Sequence, residues 1–324
     1  MKPHLFYLLR FLALTSAANT SPLLLNDTEV VNTAAHVGAI DPRFTIEAYF
    51  NGPKLPLVSC LVSTVDFLVV LALQDFSGSM GEAAWKIDDY PEVGIVVAPG
   101  TVGGRIEVRF VMWGLRQGAA HMIRLIRFQA VTFTLSWEGE KVGTIELVAW
   151  PSASQGTHTN STWNPTQPSN LSIDNPPSSL SLLPQNATIT TTNTQNGHLR
   201  VRTILTGSAV PLFDVFLLVM AVLVGAAELG PRERLRYYAF PATGAGLRIA
   251  FTESVPARTS PPFLEVRWLI RSMAFIPRCM VKMGASKEAE VFVEVDHVSV
   301  AEGLLGKNGG GIGLMNVDSN ESVS

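Results

Sequence analysis

The feature that most constrains this chain is an internal repeat, because two apolar blocks flanking a polar middle segment match each other in order. The match begins with segments 44–50 and 199–205 and continues without a gap. At one constant offset it then pairs Gly52 with Gly207, Pro56 with Pro211, and Leu57 with Leu212. Self-similarity of this kind indicates one supersecondary unit built twice.

Later landmarks keep the same order in both blocks, and their offset drifts by only a few residues. They are the triplets 107–109 and 265–267 (Glu-Val-Arg, each followed by an aromatic residue), the helical patterns 112–125 and 269–283, and Ala130-x-x-Phe133 with Ala289-x-x-Phe292. Each block therefore has room for the same set of helices and strands.

Hydrophobic periodicity assigns the elements of one unit. The predicted strands are 44–50, 93–98, 105–110, 129–137 and 142–149, the predicted helices are 57–75 and 112–124, and Gly139 lies in the last turn. This order predicts an α+β fold, a tandem duplication of a ferredoxin-like (split βαβ) unit with one extra hairpin strand. We expect repeat 1 over residues 43–150 and repeat 2 over 198–302, each with its own core.

The N-terminus has the features of a secretory signal peptide. Lys2 precedes an apolar stretch from residue 5 to residue 14, and the small residues 15–18 suit signal peptidase. We predict cleavage after Ala18 and an N-terminal extension over 19–42. Arg10 interrupts the apolar stretch, so an uncleaved anchor or an ordinary helix stays open as an alternative.

Residues 151–197 are rich in Ser, Thr, Asn and Pro, and such a stretch buries too little apolar area to offset its ordering entropy. We expect a mobile linker here and a disordered Gly-rich tail over 303–324. Glycosylation sequons lie only in these polar segments and at the N-terminus, at Asn19, Asn26, Asn160, Asn170, Asn186 and Asn320. We predict glycans at Asn26, Asn160, Asn170 and Asn186.

The two cysteines, Cys60 and Cys279, exclude a disulfide-rich scaffold. They lie in apolar stretches of different repeats, which favours two separate buried thiols over a bridge between the repeats. Their spacing makes no metal site, and the sequence indicates no cofactor.

Two apolar segments, 57–76 and 212–229, raise the alternative of membrane insertion. A spanning helix needs about 20 apolar residues, and Asp66, Asp214 and Glu228 fall within that window. Both segments also occupy the same position in a repeated unit, so we expect core helices. A net charge of −3, with no basic run, argues against nucleic-acid binding.

One local motif suggests metal chemistry. Asp75, Ser77 and Ser79 follow an apolar run and resemble the D-x-S-x-S metal-ion-dependent adhesion site of von Willebrand factor A domains, which implies an Mg²⁺ site with oxygen ligands. The later Thr and Asp that this family needs are missing, and Gly230 stands at the position of Asp75 in repeat 2. A polar loop that ends the preceding helix is the competing interpretation.

No catalytic residues emerge from the remaining polar groups. The acidic pairs Asp88-Asp89 and Glu138/Glu140 fall in a predicted loop and turn, where neighbouring carboxylates are usually solvated. The histidines have no Ser, Cys or Asp at the spacing of a known catalytic family. Arginines around the 112–124 helix are expected on its solvated face, with Trp113, Leu115, Met122 and Ile123 turned inward.

Residues 107–115 (EVRFVMWGL) and 133–143 (FTLSWEGEKVG), together with the signal peptide and the polar linker, resemble uncharacterised secreted proteins of filamentous fungi. This resemblance implies an extracellular location and no chemistry. The sequence therefore favours a secreted, non-catalytic glycoprotein that binds an unknown extracellular protein or glycan. The alternatives are an Mg²⁺-dependent adhesion module, an unrecognised secreted hydrolase and a membrane-embedded protein.

Overall fold

The computed structural model describes residues 39–150, 187–193, 199–241 and 246–307. The predicted signal peptide, the cleavage site and the sequon asparagines all lie outside these residues. The elements of repeat 1 are β1 (Phe44–Lys54), α1 (Leu57–Ala72), β2 (Ser79–Met80), β3 (Ala83–Lys86), β4 (Val93–Pro99), β5 (Ile106–Glu107), α2 (Val108–Leu125), β6 (Gln129–Trp137) and β7 (Glu140–Ala149).

The second half of the chain contains one more long strand than the first. Its elements are β8 (Ala187–Asn193), β9 (Leu199–Ala209), α3 (Leu212–Ala227), β10 (Tyr237–Pro241), β11 (Leu247–Glu253), α4 (Val266–Met273), α5 (Phe275–Met283), β12 (Lys287–Val295) and β13 (Val298–Lys307). A sharp turn at Glu138 and Gly139, both with positive φ, joins β6 to β7 as the sequence predicted.

Both repeats build the same antiparallel sheet. Sheet 1 has the order β1-β6-β7-β4-β3, and sheet 2 has the order β10-β11-β13-β12-β9-β8. Read from the opposite end, sheet 2 repeats sheet 1 strand for strand, with β8 added outside β9. The predicted α+β class and antiparallel sheets are confirmed.

The ferredoxin-like part of the prediction is not confirmed. β1 lies at the edge of sheet 1 and pairs with β6 alone, so no strand of this sheet lies beyond it. One split βαβ crossover is nevertheless present, because α2 connects β4 to β6, which run parallel with β7 between them. The additional hairpin strand β7 therefore lies inside the sheet and displaces β1 from its centre.

The helices form the middle layers between the two sheets. α1 packs on β4, α2 packs on β1, β6 and β7, α3 packs on β11, and the helices of the two repeats contact each other directly. The buried side chains make one contiguous core across both repeats, in place of the two separate cores expected. α3 is apolar on every side because it is covered on every side. Within the described residues, no helix is both long and apolar enough to cross a membrane.

The predicted strand 105–110 is mostly helix. Only Ile106 and Glu107 extend as β5, and α2 starts at Val108. The reason lies in the loop after α1, whose Gly78 and Phe76 carbonyls accept the backbone N–H groups of Val108 and Arg109. These bonds satisfy donors that the first turn of a helix leaves unpaired. Residues 105–110 show the alternation of a strand because the first turn of α2 is buried on more than one side.

The second long helix of repeat 2 is broken where repeat 1 has one continuous helix. α4 ends at Met273 and α5 starts at Phe275. Pro277 is the third residue of α5, and proline has no N–H to continue a helix from α4, although it fits a first turn. The predicted helix 269–283 is therefore two helices.

Several predicted boundaries change. α1 ends at Ala72, not residue 75. β8 lies inside the predicted linker, because the β-branched run 188–192 (TITTT) favours a strand despite its polarity. β13 continues to Lys307 through the first residues of the predicted tail, and Gly303 is needed there because a side chain would collide with the Phe251 ring at 2.5 Å.

The predicted pairing of Phe133 with Phe292 is shifted by one residue. Strand pairing makes Val291 the equivalent of Phe133, since Phe133 lies opposite Ala48 of β1 and Val291 lies opposite Thr203 of β9. Phe133 and Val291 are fully buried, whereas Phe292 lies on the outer face beneath the Arg202 guanidinium. A shift of one residue moves a strand side chain to the opposite face.

Candidate functional site

The two central rows of the outer face of sheet 1, which points away from the helices, carry mostly uncharged side chains. Across the sheet, Tyr49 of β1 lies opposite Thr132, Thr132 opposite Glu146, and Glu146 opposite Val96. The next row runs from Glu47 through Thr134 and Thr144 to Ala98. Two carboxylates are thus the only charges among these eight residues.

The outer face of sheet 2 has the same strand order but a different surface. One row contains Arg202, Phe292 and Glu302, and the Arg202 guanidinium lies 4.4 Å from the centre of the Phe292 ring. Nearby, Arg200 Nη1 lies 3.5 Å from Glu294 Oε2. The outer face of sheet 2 thus carries more charged groups than the two central rows of sheet 1, and one ion pair, Arg200 with Glu294, links two of its strands.

The side of β1 that faces away from β6, from Thr45 to Asn51, is the second distinctive feature of sheet 1. We call it the β1 edge. Among the described residues, no strand and no backbone hydrogen bond covers it. β9, the equivalent strand of sheet 2, is covered on this side by β8 through a ladder from Ala187 and Leu205 to Asn193 and Leu199.

The inward-pointing side chains of β9 are more deeply buried than those at the equivalent positions of the β1 edge. Val201, Thr203 and Leu205 of β9 are 0%, 2% and 1% exposed. Their equivalents in β1, in the same order, are Ile46, Ala48 and Phe50, and all three are only partly buried. β8 closes the side of the core in repeat 2, and the described part of repeat 1 has no counterpart.

Aromatic and cationic groups lie at one end of the β1 edge. His121 of α2 stacks on Phe50 with the ring centres 5.9 Å apart, and the Arg127 guanidinium lies 4.3 Å from the centre of the same ring. Tyr49, the next residue along β1, is 69% exposed, and Ile126 is 77% exposed. An exposed aromatic beside half-buried apolar groups is typical of interaction surfaces.

An ion-pair network fixes the other end of β1. Arg43 donates to Asp41 and to Glu138 at distances of 2.8 to 3.1 Å, and its guanidinium lies over Trp137 at 4.3 Å. The hydrogen bonds from Arg43 lower the pKa of Asp41 to about 2. This network ties the turn before β1 to the β6–β7 hairpin.

The Asp75, Ser77 and Ser79 loop serves the start of α2. Asp75 Oδ1 accepts the Ser77 N–H at 3.0 Å, and Ser79 Oγ accepts a hydrogen bond from Arg105 Nε at 2.8 Å. A cation at this loop would therefore compete with a guanidinium. These hydrogen bonds hold the loop that follows α1, and the Mg²⁺ site stays a prediction.

In repeat 2, the residue equivalent to Ser79 is itself an arginine, Arg234. Arg234 bridges to Glu265 as Ser79 pairs with Glu107. Its guanidinium binds both carboxylate oxygens of the buried Glu253, at 3.1 and 2.8 Å. The carbonyls of Pro231 and Glu233 then accept the first N–H groups of α4, as the repeat 1 loop does for α2.

Within the described part of the chain, a buried ion pair connects the two repeats. Arg278 Nη2 of α5 donates to Asp66 Oδ1 of α1 at 2.6 Å, and the two side chains are 8% and 15% exposed. Burial raises the pKa of Asp66 although Arg278 acts in the opposite direction, and Asp89 also raises it. Asp89 of the predicted acidic pair thus lies within electrostatic reach of this contact. The ion pair links α1 of one repeat to α5 of the other.

The remaining reactive groups are isolated from one another. Cys60 and Cys279 are free and buried, and burial raises both thiol pKa values to about 12. His121 contacts Arg124, and His297 lies in the β12–β13 turn. Across the part of the chain that the structure describes, no three His, Cys, Asp or Glu side chains cluster to hold a metal.

Comparisons with known proteins do not identify a family. No family profile and no curated protein matches the sequence. Among solved structures, a tandem DUF26 ectodomain of a cysteine-rich receptor-like protein from Arabidopsis thaliana overlaps 81% of this chain and 97% of its own, with 10% identity and a TM-score of 0.21. An acyl-CoA thioesterase II from Mycobacterium marinum overlaps 84% of each chain, with 12% identity and a TM-score of 0.12. These TM-scores are too low to establish a shared fold or function.

The sequence singled out the Asp75 loop but did not reveal the β1 edge. The available signal was the β-branched run within the polar segment before repeat 2. Residues 32–38, at the same distance before repeat 1, lack such a run.

Proposed function

We propose that this chain is a secreted, non-catalytic glycoprotein that binds an extracellular protein or glycan through sheet 1. The observation that carries the proposal is the contrast between the two sheets. The two central rows of the sheet 1 outer face carry only two carboxylates, and no described strand covers β1, whereas the sheet 2 outer face carries arginines and carboxylates and β8 covers β9. The resemblance to secreted fungal proteins supports the location only.

The described residues contain no grouping of a nucleophile with a general base, and this supports a binding role over the hydrolase alternative. Among the described residues, the histidines have no Ser or Cys partner, and both thiols are held protonated by burial. Charged pairs such as Arg278 with Asp66 and Arg234 with Glu253 are engaged in holding elements together.

Location is tested by the intact mass of protein collected from the medium of a eukaryotic secretion host, with and without endoglycosidase. We expect loss of residues 1–18 and glycans on the predicted asparagines. A cell-retained, full-length, unglycosylated chain would contradict the secreted assignment.

The binding surface is tested by placing a photo-crosslinking amino acid at Tyr49 of sheet 1 and, as the matched control, at Tyr237 of sheet 2. Both tyrosines are exposed on the outer faces, at 69% and 41%. After incubation with extracellular material of the producing organism, we expect discrete adducts from position 49 and none from position 237. Equal labelling at both positions, or none at either, would sink the assignment to sheet 1.

A further inference from the structure

The two repeats differ in what covers their first long strand, and this difference shows what the β1 edge can accept. In repeat 2, the segment 187–193 (ATITTTN) pairs antiparallel with β9 along its whole length. It carries no charge and is rich in β-branched residues, which favour extended backbone. It also contacts α5, so it closes the side of the core.

The register transfers directly to repeat 1 because β1 and β9 share one constant offset. A strand bound as β8 is bound would run from Phe50, the equivalent of Leu205, to Phe44, the equivalent of Leu199. Its central residue would lie opposite Glu47, where β9 has Arg202 facing Thr190. An uncharged or basic residue fits opposite Glu47, and an acidic residue would be repelled.

Besides β1 and β8, the sheets end at β3 and β10, and both of these edges carry features that discourage strand addition and that the β1 edge lacks. β3 has four residues and ends at Lys86, while β10 has five and ends at Pro241. Short strands, lysine and proline are the usual protection of exposed edges. β1 has eleven residues, and its Gly-Pro-Lys interruption comes only after Asn51.

From these observations we infer that the β1 edge binds one extended segment of another polypeptide, which adds antiparallel to β1 and carries uncharged, β-branched side chains. The inference deepens the proposed function and rests on it, because it selects a protein partner over a glycan. Main-chain hydrogen bonds supply affinity in this mode, and alternate side chains supply selectivity. The bound strand would cover Ile46, Ala48 and Phe50 as β8 covers their equivalents.

The first test is amide hydrogen exchange on the full-length monomer, with a capped synthetic peptide of residues 187–193 as the probe. Without peptide, we expect the edge-facing amides of β1 to exchange at least about tenfold faster than the equivalent amides of β9. With saturating peptide, protection should rise in β1 and stay unchanged in β3 and β10.

Peptides with a single N-methyl group provide the matched controls. In an antiparallel ladder, alternate residues direct their amides toward the partner strand. N-methylation at every second position should therefore abolish binding, while N-methylation at the intervening positions should change affinity less than about threefold. A peptide with Glu in place of the central Thr should bind more weakly because Glu47 repels it, and Glu47→Arg should reverse that effect.

Four results would overturn the inference: β1 amides already protected in the peptide-free monomer, protection caused by self-association, no protection at saturating peptide, or equal sensitivity at all N-methyl positions. Its failure is distinguishable from failure of the proposed function. Adducts at position 49 without strand addition would leave sheet 1 as the binding surface and assign the contact to its outer face.

Discussion

β1 and β9 begin the same repeated unit, yet among the described residues a further strand covers β9 and none covers β1. Both start a sheet of the same order, both precede a buried helix, and both pair with the equivalent strand on one side. The inward side chains of β9 are almost fully buried, whereas Ile46, Ala48 and Phe50 of β1 are only partly buried. Duplication therefore preserved the topology while the two copies diverged at one sheet edge and on the two outer faces.

The largest expected effect concerns the buried ion pair between the repeats, which tests whether contacts between them stabilise the whole chain. Asp66→Asn removes the charge that pairs with Arg278 and leaves a buried guanidinium without its counter-ion, so we expect the free energy of unfolding to fall by about 3 kcal/mol. Urea denaturation measures it. Asp214→Asn, at the start of α3, is the control and should cost less than about 1 kcal/mol. An equal loss in both variants would contradict a special role for the contact, whereas Asp66→Leu with Arg278→Met should recover most of the stability.

A second prediction concerns β1 and β9 directly. Leu205→Ala empties a site that is 1% exposed and should cost about 3 kcal/mol. Phe50→Ala removes a larger side chain at the equivalent position, but we expect only about half that loss because Phe50 is already partly in water. Both values come from the same urea titrations. A larger loss for Phe50→Ala would mean that the β1 edge is enclosed.

The packing of α2 on sheet 1 gives a third prediction. A Cβ at Gly118 would meet the Phe133 ring at 2.7 Å, so Gly118→Ala should cost about 1–2 kcal/mol despite the better helix propensity of alanine. Gly81→Ala is the control, since no atom lies within 4 Å of its added Cβ, and its effect should stay within about 0.5 kcal/mol. In repeat 2 the equivalent position holds a large residue, Ile276. If Gly118→Ala caused no loss of stability, α2 would have room for a side chain there, as α5 has.

The reactivity of the two cysteine thiols reports on the interior of each repeat and needs no mutation. With pKa values raised from 9.0 to about 12, Cys60 and Cys279 should react with a disulfide reagent at pH 8 on the order of a thousandfold more slowly than after unfolding in urea. We expect equal protection of both thiols. Rapid reaction of one thiol in the native protein would show that its repeat opens locally.

The smallest effect lies at the entrance to β1. Asp41 has a folded-state pKa of about 2, below its ordinary 3.8, so its pairing with Arg43 stabilises the protein above pH 4 and this contribution is lost as the pH falls toward 2. Carboxyl NMR titration should give the low pKa, and Arg43→Gln should return it toward the ordinary value. An unchanged pKa in Arg43→Gln would assign the shift to another group.

The repeat, the element order and most strand boundaries could be predicted from the sequence because apolar periodicity and the constant offset reflect local geometry. Residues 129–137 are one example, since the predicted and observed strand coincide. The start of α2 could not be predicted, because it depends on carbonyls of a loop about thirty residues earlier. The order of the strands could not be predicted either, because the placement of β7 between β4 and β6 is a long-range choice that periodicity does not encode.

The candidate site was hidden for a related reason. Asp75, Ser77 and Ser79 drew attention because their residue types are chemically distinctive, yet the structure uses them to hold a loop. The β1 edge consists of backbone groups and ordinary side chains such as Ile46 and Phe50, and a sequence does not show which strand remains unpaired.

Because the helices of the two repeats pack against each other, we expect the repeats to stay associated when the chain between them is cut. A peptide chain cut between the repeats would leave two halves, each presenting a helical surface that only the other half covers, with Phe128 of one stacked on Phe213 of the other. The halves should therefore remain bound after cleavage and recombine when produced separately. Proteolytic nicking in the intervening segment would then release no fragment and leave both sheets in place.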